Sequence, residues 1–110
     1  YSGSNNIGEV AWYKGNLSNP IRHQEVAQKK PNELGLYDMS GNVSEWCNDY
    51  WERDYYSKSP QNNPTGPKTG YLLMNRGGSV LSEAKRCRNA CRGGIKPNEG
   101  GVTTGLRLGL

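Results

Sequence analysis

The sequence contains no phenylalanine, only one histidine and no apolar run long enough to cross a membrane. Hydrophobic residues are 33 % of its 110 residues, against about 45–50 % in average domains, a reference that also counts glycine. The core must therefore rely on Trp, Tyr, Leu and Val. Disorder is not expected, because the 7 Tyr and 3 Trp residues are clustered and disordered chains have few aromatic residues. We expect one small, loop-rich domain.

Cysteine is also scarce, with three residues at Cys47, Cys87 and Cys91. With three cysteines, at most one disulfide can form within the chain, and one thiol then remains. This excludes a disulfide-dense scaffold. No secretory signal is visible, but the opening residues YSGSNN are typical of the interior of a domain. The start of the chain therefore gives no information about its compartment.

The formal net charge is +4, and basic residues concentrate late in the chain. Lys85, Arg86, Arg88 and Arg92 lie close together in the sequence, and such a cluster could contact nucleic acid or an acidic ligand. No RNA- or DNA-binding motif accompanies it, so no nucleic-acid partner is expected. A solvated face without any partner is the simpler alternative.

Short strands joined by long loops are the predicted organisation, without a helix of three or more turns. Residues 43–46 alternate in the way of a strand, with Val43 and Glu45 on one face. Further strands are predicted at 71–76, 86–92 and 106–108, and one helical turn at 9–13. The proline-rich residues 53–69 and the glycine-rich residues 93–104 are predicted as loops. Loops of this length usually carry function or are fastened by another element.

Five sequence segments occur in an order and spacing that are typical of one family. They are PNELGLYDMSGNVSEWCNDYW (31–51), NPTGP (63–67), RGGSV (76–80), CR (87–88) and GLRL (105–108). With these segments the chain resembles the formylglycine-generating enzyme, or sulfatase-modifying factor, domain family. The resemblance covers nearly the whole chain, but only the C-terminal half of the family's domain.

The resemblance implies an α+β fold similar to C-type lectins, with a small twisted antiparallel sheet, long structured loops and little helix. Residues 1–110 would form the C-terminal part of a single domain. The N-terminal half would come from the same parent protein or from another chain. A cell surface, a periplasm or a phage particle is expected rather than the cytoplasm, in a bacterial or phage setting.

The loop DMSGNVSE contains the best candidate for a metal site. Calcium requires about 6–8 oxygen ligands drawn from carboxylates and carbonyls, and the resemblance implies Asp38, Gly41, Val43 and Glu45 as ligands of a structural Ca²⁺. The alternative is that Asp38 caps a turn and Glu45 pairs with a nearby arginine. A second calcium site of the family is expected to be absent, because Val10 takes the place of an asparagine ligand.

The oxidase chemistry of the family uses two cysteines five residues apart, which bind copper. The matching positions here are Ser82 and Cys87, so the first sulfur is a hydroxyl and copper is not expected. Cys87 would be catalytic only if the oxidase interpretation held. Cys87 and Cys91 would lie about 13 Å apart on a strand, too far for one metal ion unless the strand is bulged. A disulfide or thiol contact between Cys47 and Cys87 is left open, and the iron sites of related sulfoxide synthases would need more histidines than His23.

A recognition surface is predicted in the segment 80–104, between the RGGS and GLRL motifs. Some relatives are variable proteins of diversity-generating retroelements, and they display variable residues in this segment. The predicted ligand-binding residues are Val80, Ser82, Glu83, Lys85, Arg86, Arg88 and Asn89. Arg92 is excluded because the matching arginine is often structural. Ordinary drift on an exposed surface is the alternative to a binding face.

The function predicted from the sequence is therefore a non-catalytic recognition or display domain that binds a protein or glycan ligand. A copper-dependent formylglycine-generating oxidase, which activates sulfatases, is one alternative. A structural module of a larger surface protein is another.

Overall fold

The computed structural model describes residues 1–109, and helix makes up little of it. Helix α1 (Ile7–Val10) is a single turn, and the Asn6 side chain caps it by accepting a hydrogen bond from the Gly8 backbone (3.1 Å). Helix α2 (Tyr55–Lys58) is equally short. Two 3₁₀ turns lie at Lys14–Asn16 and Ala84–Cys87. None of the helices within residues 1–109 has the length and apolar character needed to cross a membrane.

Six short strands form two sheets. They are β1 (Ala11–Trp12), β2 (Ser40–Gly41), β3 (Ser44–Tyr50), β4 (Leu73–Arg76), β5 (Gly93–Ile95) and β6 (Thr104–Gly105). Strands β1 and β2 pair in parallel, and the other four form a sheet in the order β5-β4-β3-β6. β3 and β4 are antiparallel, as are β4 and β5, whereas β3 and β6 are parallel. The sheet is thus mixed, and the expectation of an antiparallel sheet holds only for β5, β4 and β3.

The predicted strands at 43–46 and 71–76 are confirmed as β3 and β4. β3 begins one residue later than predicted and ends four residues later, at Tyr50, and β4 begins two residues later, at Leu73. The helical turn expected at 9–13 begins earlier, at Ile7, and ends at Val10, and the chain is extended at Ala11 and Trp12. The predicted terminal strand at 106–108 is wrong, because β6 ends at Gly105. Leu106 and Leu108 are 72 % and 82 % exposed, so their alternation does not reflect a buried face of the sheet.

The predicted strand at 86–92 is also wrong, because turns occupy these residues. The 3₁₀ turn ends at Cys87, and a tight turn follows in which the Cys91 backbone donates to the Arg88 carbonyl (2.9 Å). The strand β5 begins after this turn, at two glycines that a loop was predicted to contain. A Cβ at Gly94 would lie 2.9 Å from the Trp51 ring, and one at Gly93 would collide with the Asn75 side chain. Glycine is thus required by close packing against the sheet.

A turn at Gly41 and Asn42 holds the small core together. Both residues have a positive φ, 78° and 59°, which glycine and asparagine adopt most readily. The buried Asn42 side chain bonds the Gln24 backbone through both its oxygen (3.1 Å) and its nitrogen (3.0 Å). Its backbone donates to the Trp12 carbonyl (2.7 Å) and accepts from Val80 (2.9 Å). One residue therefore joins three distant segments, and it fixes the position at which the RGGS motif leaves β4.

Candidate functional site

The RGGS motif, Arg76–Ser79, makes a turn that only glycine permits. Gly77 and Gly78 have φ values of 89° and 71°. A Cβ at Gly78 would lie 2.7 Å from the Cys87 sulfur, which is closer than a carbon atom can approach it. The turn is tied to the calcium-candidate loop, because the Gly41 backbone donates to the Gly77 carbonyl (2.8 Å). The two motifs of the sequence are therefore one structural unit.

Ser82 closes the next turn through its hydroxyl group. Its Oγ accepts a hydrogen bond from the Ser79 backbone (2.9 Å) and lies 3.3 Å from Ser79 Oγ. The Ser82 backbone in turn donates to the Ser79 carbonyl (2.9 Å). The residue that the family resemblance matches to the first cysteine of an oxidase is thus a serine whose hydroxyl stabilises a turn.

Cys87, the second sulfur of that pair, is fully buried at the end of the 3₁₀ turn. Burial, together with the nearby Cys91 thiol, raises the pKa of Cys87 from its ordinary 9.0 to about 11. Its Sγ makes one long hydrogen bond, to the Glu83 carbonyl (3.9 Å). At neutral pH Cys87 is therefore a protonated thiol, and only the thiolate is a good nucleophile or metal ligand.

All three cysteines are free, and no disulfide joins any pair of them within residues 1–109. Because residues 86–92 do not form a strand, the distance of about 13 Å expected between Cys87 and Cys91 from strand geometry does not apply. Cys47 is half-buried on β3, and burial followed by the Asp49 carboxylate raises its pKa. Neither Ser82 nor the buried Cys87 thiol provides the donor set that Cu(I) requires.

Two arginines beside the turn are held by neutral groups. Arg76 donates to the Asn89 carbonyl (2.9 Å) and to the Tyr56 hydroxyl (2.7 Å). Arg92 donates to the carbonyls of Glu52 (3.0 Å) and Arg53 (2.8 Å), and its guanidinium carbon lies 4.2 Å from the centre of the Tyr56 ring. The Arg92 donors thus fix the loop after β3.

A polar cleft of about 250 Å³, here called the RGGS cleft, opens between the RGGS turn and the four-stranded sheet, including its edge strand β5. Its wall on the sheet is hydrogen-bonded: Asn75 donates to the Ser44 hydroxyl (3.3 Å), and Ser44 donates to the Thr103 carbonyl (3.1 Å). The side chains that line the cleft are Ser44, Asn75, Arg76, Ser79, Ser82, Arg86, Cys91, Arg92, Ile95 and Thr103.

A larger, more open depression of about 590 Å³ lies elsewhere, bordered by Trp51, Tyr55 and Tyr71. One of its two lysines, Lys58, is paired with Glu52 at 2.6 Å. We take the smaller RGGS cleft as the candidate site, because polar groups from several segments converge on it and its cations have no carboxylate partner.

The predicted ligand-binding residues divide into three groups. Val80 is 2 % exposed and packs in the core, so its side chain is not available to a ligand. Ser82 and Arg86 line the RGGS cleft. The others are exposed outside its lining: Glu83, Lys85, Arg88 and Asn89.

Exposure leaves these outer residues with few contacts. Glu83 pairs with Lys14 at 2.8 Å, and a hydrogen bond from Lys14 lowers the pKa of this carboxyl. Arg88 donates to the Lys85 carbonyl (3.0 Å). Sequence reasoning did not include Ser44, Asn75 and Thr103 in the site, because they come from β3, β4 and a distant loop. Only the strand pairing brings them together.

The calcium-candidate residues lie in the segment 38–45, which the RGGS turn contacts through the Gly41–Gly77 hydrogen bond. Asp38 has a φ of 54°, and its Oδ2 accepts from the Ala27 backbone (2.8 Å). Its Oδ1 is buried and has no hydrogen-bond partner. Glu45 is held by Arg107, which donates to both carboxylate oxygens at 2.7–3.0 Å and also to the Tyr37 carbonyl (2.9 Å). Hydrogen bonding to Glu45 raises the pKa of Arg107.

These contacts are those of the alternative interpretation, a capped turn and a paired glutamate, but they leave one oxygen of Asp38 without a partner. Gly41 and Val43 lie between the two carboxylates in the same loop. Residues 1–109 hold no cluster of three or more His, Cys, Asp or Glu side chains that could bind a metal ion. Any ion here would therefore depend on backbone oxygens as well as the two carboxylates.

Comparison with known proteins agrees with this geometry. A profile of the sulfatase-modifying factor enzyme 1-like domain matches residues 1–109. The chain is 35 % identical over 123 residues to "Chaperone protein LppX" of Paenibacillus barcinonensis, covering 98 % of this chain and 40 % of that protein. It is 40 % identical over 85 residues to the formylglycine-generating enzyme of Streptomyces coelicolor, covering 74 % of this chain and 27 % of the enzyme.

Among solved structures, Treponema denticola variable protein 1 superposes with a TM-score of 0.84 at 36 % sequence identity. The match covers 96 % of this chain and 38 % of that one. The chain thus spans 40 % or less of the length of each of these relatives.

Proposed function

The chain belongs to the sulfatase-modifying factor, or formylglycine-generating enzyme-like, domain family and has its C-type-lectin-like fold, and from this premise we propose that it is a non-catalytic recognition domain. It would bind a protein or glycan ligand through the segment 80–104. The observation that carries the proposal is Ser82. The position that an oxidase would fill with a sulfur is a hydroxyl bonded into a turn, 2.9 Å from the Ser79 nitrogen.

The shape of the segment supports binding. Its frame is fixed by the glycine turn, by the Ser79–Ser82 pair and by the buried Cys87. From this frame Lys85, Arg86 and several neighbouring side chains project into solvent. A rigid base that carries exposed polar side chains loses little conformational freedom on binding and can vary its surface without loss of fold. The similarity to a protein named as a variable protein points the same way.

Further polypeptide is part of the proposal, because the chain spans 40 % or less of its relatives. Leu106 and Leu108 are exposed next to Arg107, which clamps the end of the sheet. Cover by another part of the same domain, from the same protein or another chain, would remove these apolar side chains from water.

The recognition proposal is tested by selection with defined probes. The purified protein is panned against a random peptide library on phage and applied to a printed glycan array. Binders should lose roughly tenfold in affinity, about 1.4 kcal/mol, when the exposed basic face is removed. The face variant changes Lys85, Arg86 and Arg88 to alanine, and the charge-matched control changes Arg22, Arg53 and Lys68 to alanine.

Both variants must first show an unchanged thermal melt. The proposal expects that the control retains binding. Selection of no ligand from either collection would contradict it, as would ligands that bind the face variant as well as the wild type.

A structural calcium ion at the loop 38–45 is a second proposal, and it rests on Asp38. A buried carboxylate oxygen without a partner is costly, and Ca²⁺ is a cation that such an oxygen would bind. The side chains of Asp38 and Glu45 with the carbonyls of Gly41 and Val43 would supply four ligands. Bound there, the ion would hold the loop against the RGGS turn. Glu45 would have to share its oxygens with Arg107.

Thermal melting tests the calcium site directly. Millimolar Ca²⁺ should raise the melting temperature of the wild type, and a chelator should reverse the rise. Asp38→Ala should abolish the response, whereas Asp54→Ala should retain it, because the Asp54 side chain makes no cap hydrogen bond. A wild-type melting temperature that does not respond to Ca²⁺ would rule out a stabilising ion.

A further inference from the structure

The charged side chains that line the RGGS cleft are all positive. Three arginines line it, at positions 76, 86 and 92, and none of its described lining residues is acidic. Five ion pairs occur within residues 1–109, and none of them involves these arginines. A concave surface with positive charges that no carboxylate neutralises attracts an anion.

The three arginines are not equivalent. Arg76 and Arg92 have donors committed to carbonyls and to the Tyr56 hydroxyl, which fixes their positions in the wall. Arg86 is exposed, and its guanidinium makes no hydrogen bond or ion pair with any part of the chain that the structure describes. The cleft therefore combines two fixed positive charges with one guanidinium whose donors are all available to a ligand.

Size and donor geometry narrow the anion further. The cleft, at about 250 Å³, is smaller than the roughly 300–1,000 Å³ typical of sites for whole drug-sized ligands. It suits one functional group at the end of a side chain. A single free guanidinium matches a planar carboxylate in a bidentate pair. The Ser82 hydroxyl accepts from the Ser79 backbone and lies 3.3 Å from Ser79 Oγ, a contact in which either hydroxyl can be the donor. When Ser79 donates, the Ser82 hydrogen is available to a further acceptor.

We propose that the RGGS cleft binds the carboxylate of an acidic side chain on a protein partner, with Arg86 as its bidentate donor. This inference rests on the proposed recognition function and names the chemical group that the cleft receives. The fixed charges of Arg76 and Arg92 would stabilise the carboxylate through space. Ser82 would then have a binding role, whereas the matching cysteine of an oxidase has a catalytic one.

Cys91 provides a reporter inside the cleft. It is half-buried and lines the cavity, whereas Cys47 is half-buried on β3 and does not line it. A group that occupies the cleft should therefore slow alkylation of Cys91 and leave Cys47 unchanged. Cys47 serves as the matched reference within the same molecule.

The experiment measures the alkylation rate of each cysteine by iodoacetamide, with peptide mass mapping, at constant ionic strength. The probes are glutarate, its neutral analogue glutaramide, and inorganic phosphate and sulfate. Glutarate should slow Cys91 roughly tenfold once its concentration is about ten times its Kd. Glutaramide should give no protection. Arg86→Gln should abolish the effect, and Arg22→Gln, which changes an exposed arginine outside both the cleft and the basic face, should preserve it.

Several results would overturn the inference. They are equal protection by glutaramide, stronger protection by phosphate or sulfate than by glutarate, equal slowing of Cys47, and protection that survives in Arg86→Gln. Protection by no probe at all would also overturn it, even if peptides from the library still bound the exposed face. Such an outcome would leave the recognition function standing and place its contacts outside the cleft. A lack of any library or array ligand, by contrast, would contradict the recognition function itself.

Discussion

Cys87 gives the sharpest prediction of the structure, because an oxidase and a binding scaffold require opposite properties of this sulfur. The oxidase needs an accessible thiolate, whereas the structure buries Cys87 completely and raises its pKa to about 11. A rise of two units from 9.0 lowers the thiolate fraction near neutral pH about 100-fold, since each pKa unit is a factor of ten. Burial adds a steric barrier to any reagent.

The assay is alkylation with iodoacetamide at pH 7.5, quenched over time and mapped by mass spectrometry. In the native protein Cys91 should react first, and Cys87 should react only after denaturation, when the thiols become equally accessible. If native Cys87 reacted as fast as Cys91, the burial and the raised pKa would both be refuted. The oxidase interpretation would then regain its second sulfur.

The same thiol couples stability to alkaline pH. A pKa that is higher in the folded state means that Cys87 stabilises the fold fully below pH 9, its ordinary pKa, and that this contribution is lost as the pH rises toward 11. The loss should reach at most about 2.7 kcal/mol, at about 1.36 kcal/mol per pKa unit. Unfolding with urea between pH 8 and pH 11 measures it. The difference between wild type and Cys87→Ala should shrink over this range, and a constant difference would contradict the assignment.

Three further predictions concern the frame of the site, each measured by urea unfolding. Gly78→Ala should destabilise the protein by about 2–4 kcal/mol, from its positive φ and its clash, whereas Gly100→Ala, where a Cβ would meet nothing within 4 Å, should be neutral. Asn42→Ala should cost about 2–3 kcal/mol because the backbone N–H and carbonyl of Gln24, both partly buried, lose their bonds to the buried side chain, and the exposed Asn48→Ala should cost little. Arg107→Lys should cost about 1 kcal/mol, since lysine cannot form the bidentate pair with the Glu45 carboxylate. For the glycine and asparagine variants, stability equal to that of the control would contradict the assignment. For Arg107→Lys, stability equal to that of the wild type would do so.

The family and the fold could be predicted from the sequence because its motifs occupy turns with strict backbone requirements. Gly41, Asn42, Gly77 and Gly78 all adopt positive φ, and few residue types tolerate those angles. Such positions leave a readable pattern. The strands β3 and β4 were predicted for a similar reason, since alternation and apolar content mark a strand between turns.

The site could be predicted only in part. Ser82 and Arg86 were found because they follow the RGGS motif, but Val80 was assigned to the surface although it is 2 % exposed. Sequence alone does not show which side of a short, irregular turn faces the core. The glycine strand β5 escaped prediction because its pairing depends on the space that Trp51 and Asn75 leave, which is a property of the packed sheet.

The most direct test of the central claim, that this domain recognises and does not oxidise, is a turnover assay with copper, oxygen and a CxPxR peptide. The formylglycine-generating enzyme of Streptomyces coelicolor serves as the positive control. We predict that the peptide keeps its cysteine and its mass in the presence of this protein. Conversion of that cysteine to formylglycine above the rate with copper alone would contradict the account.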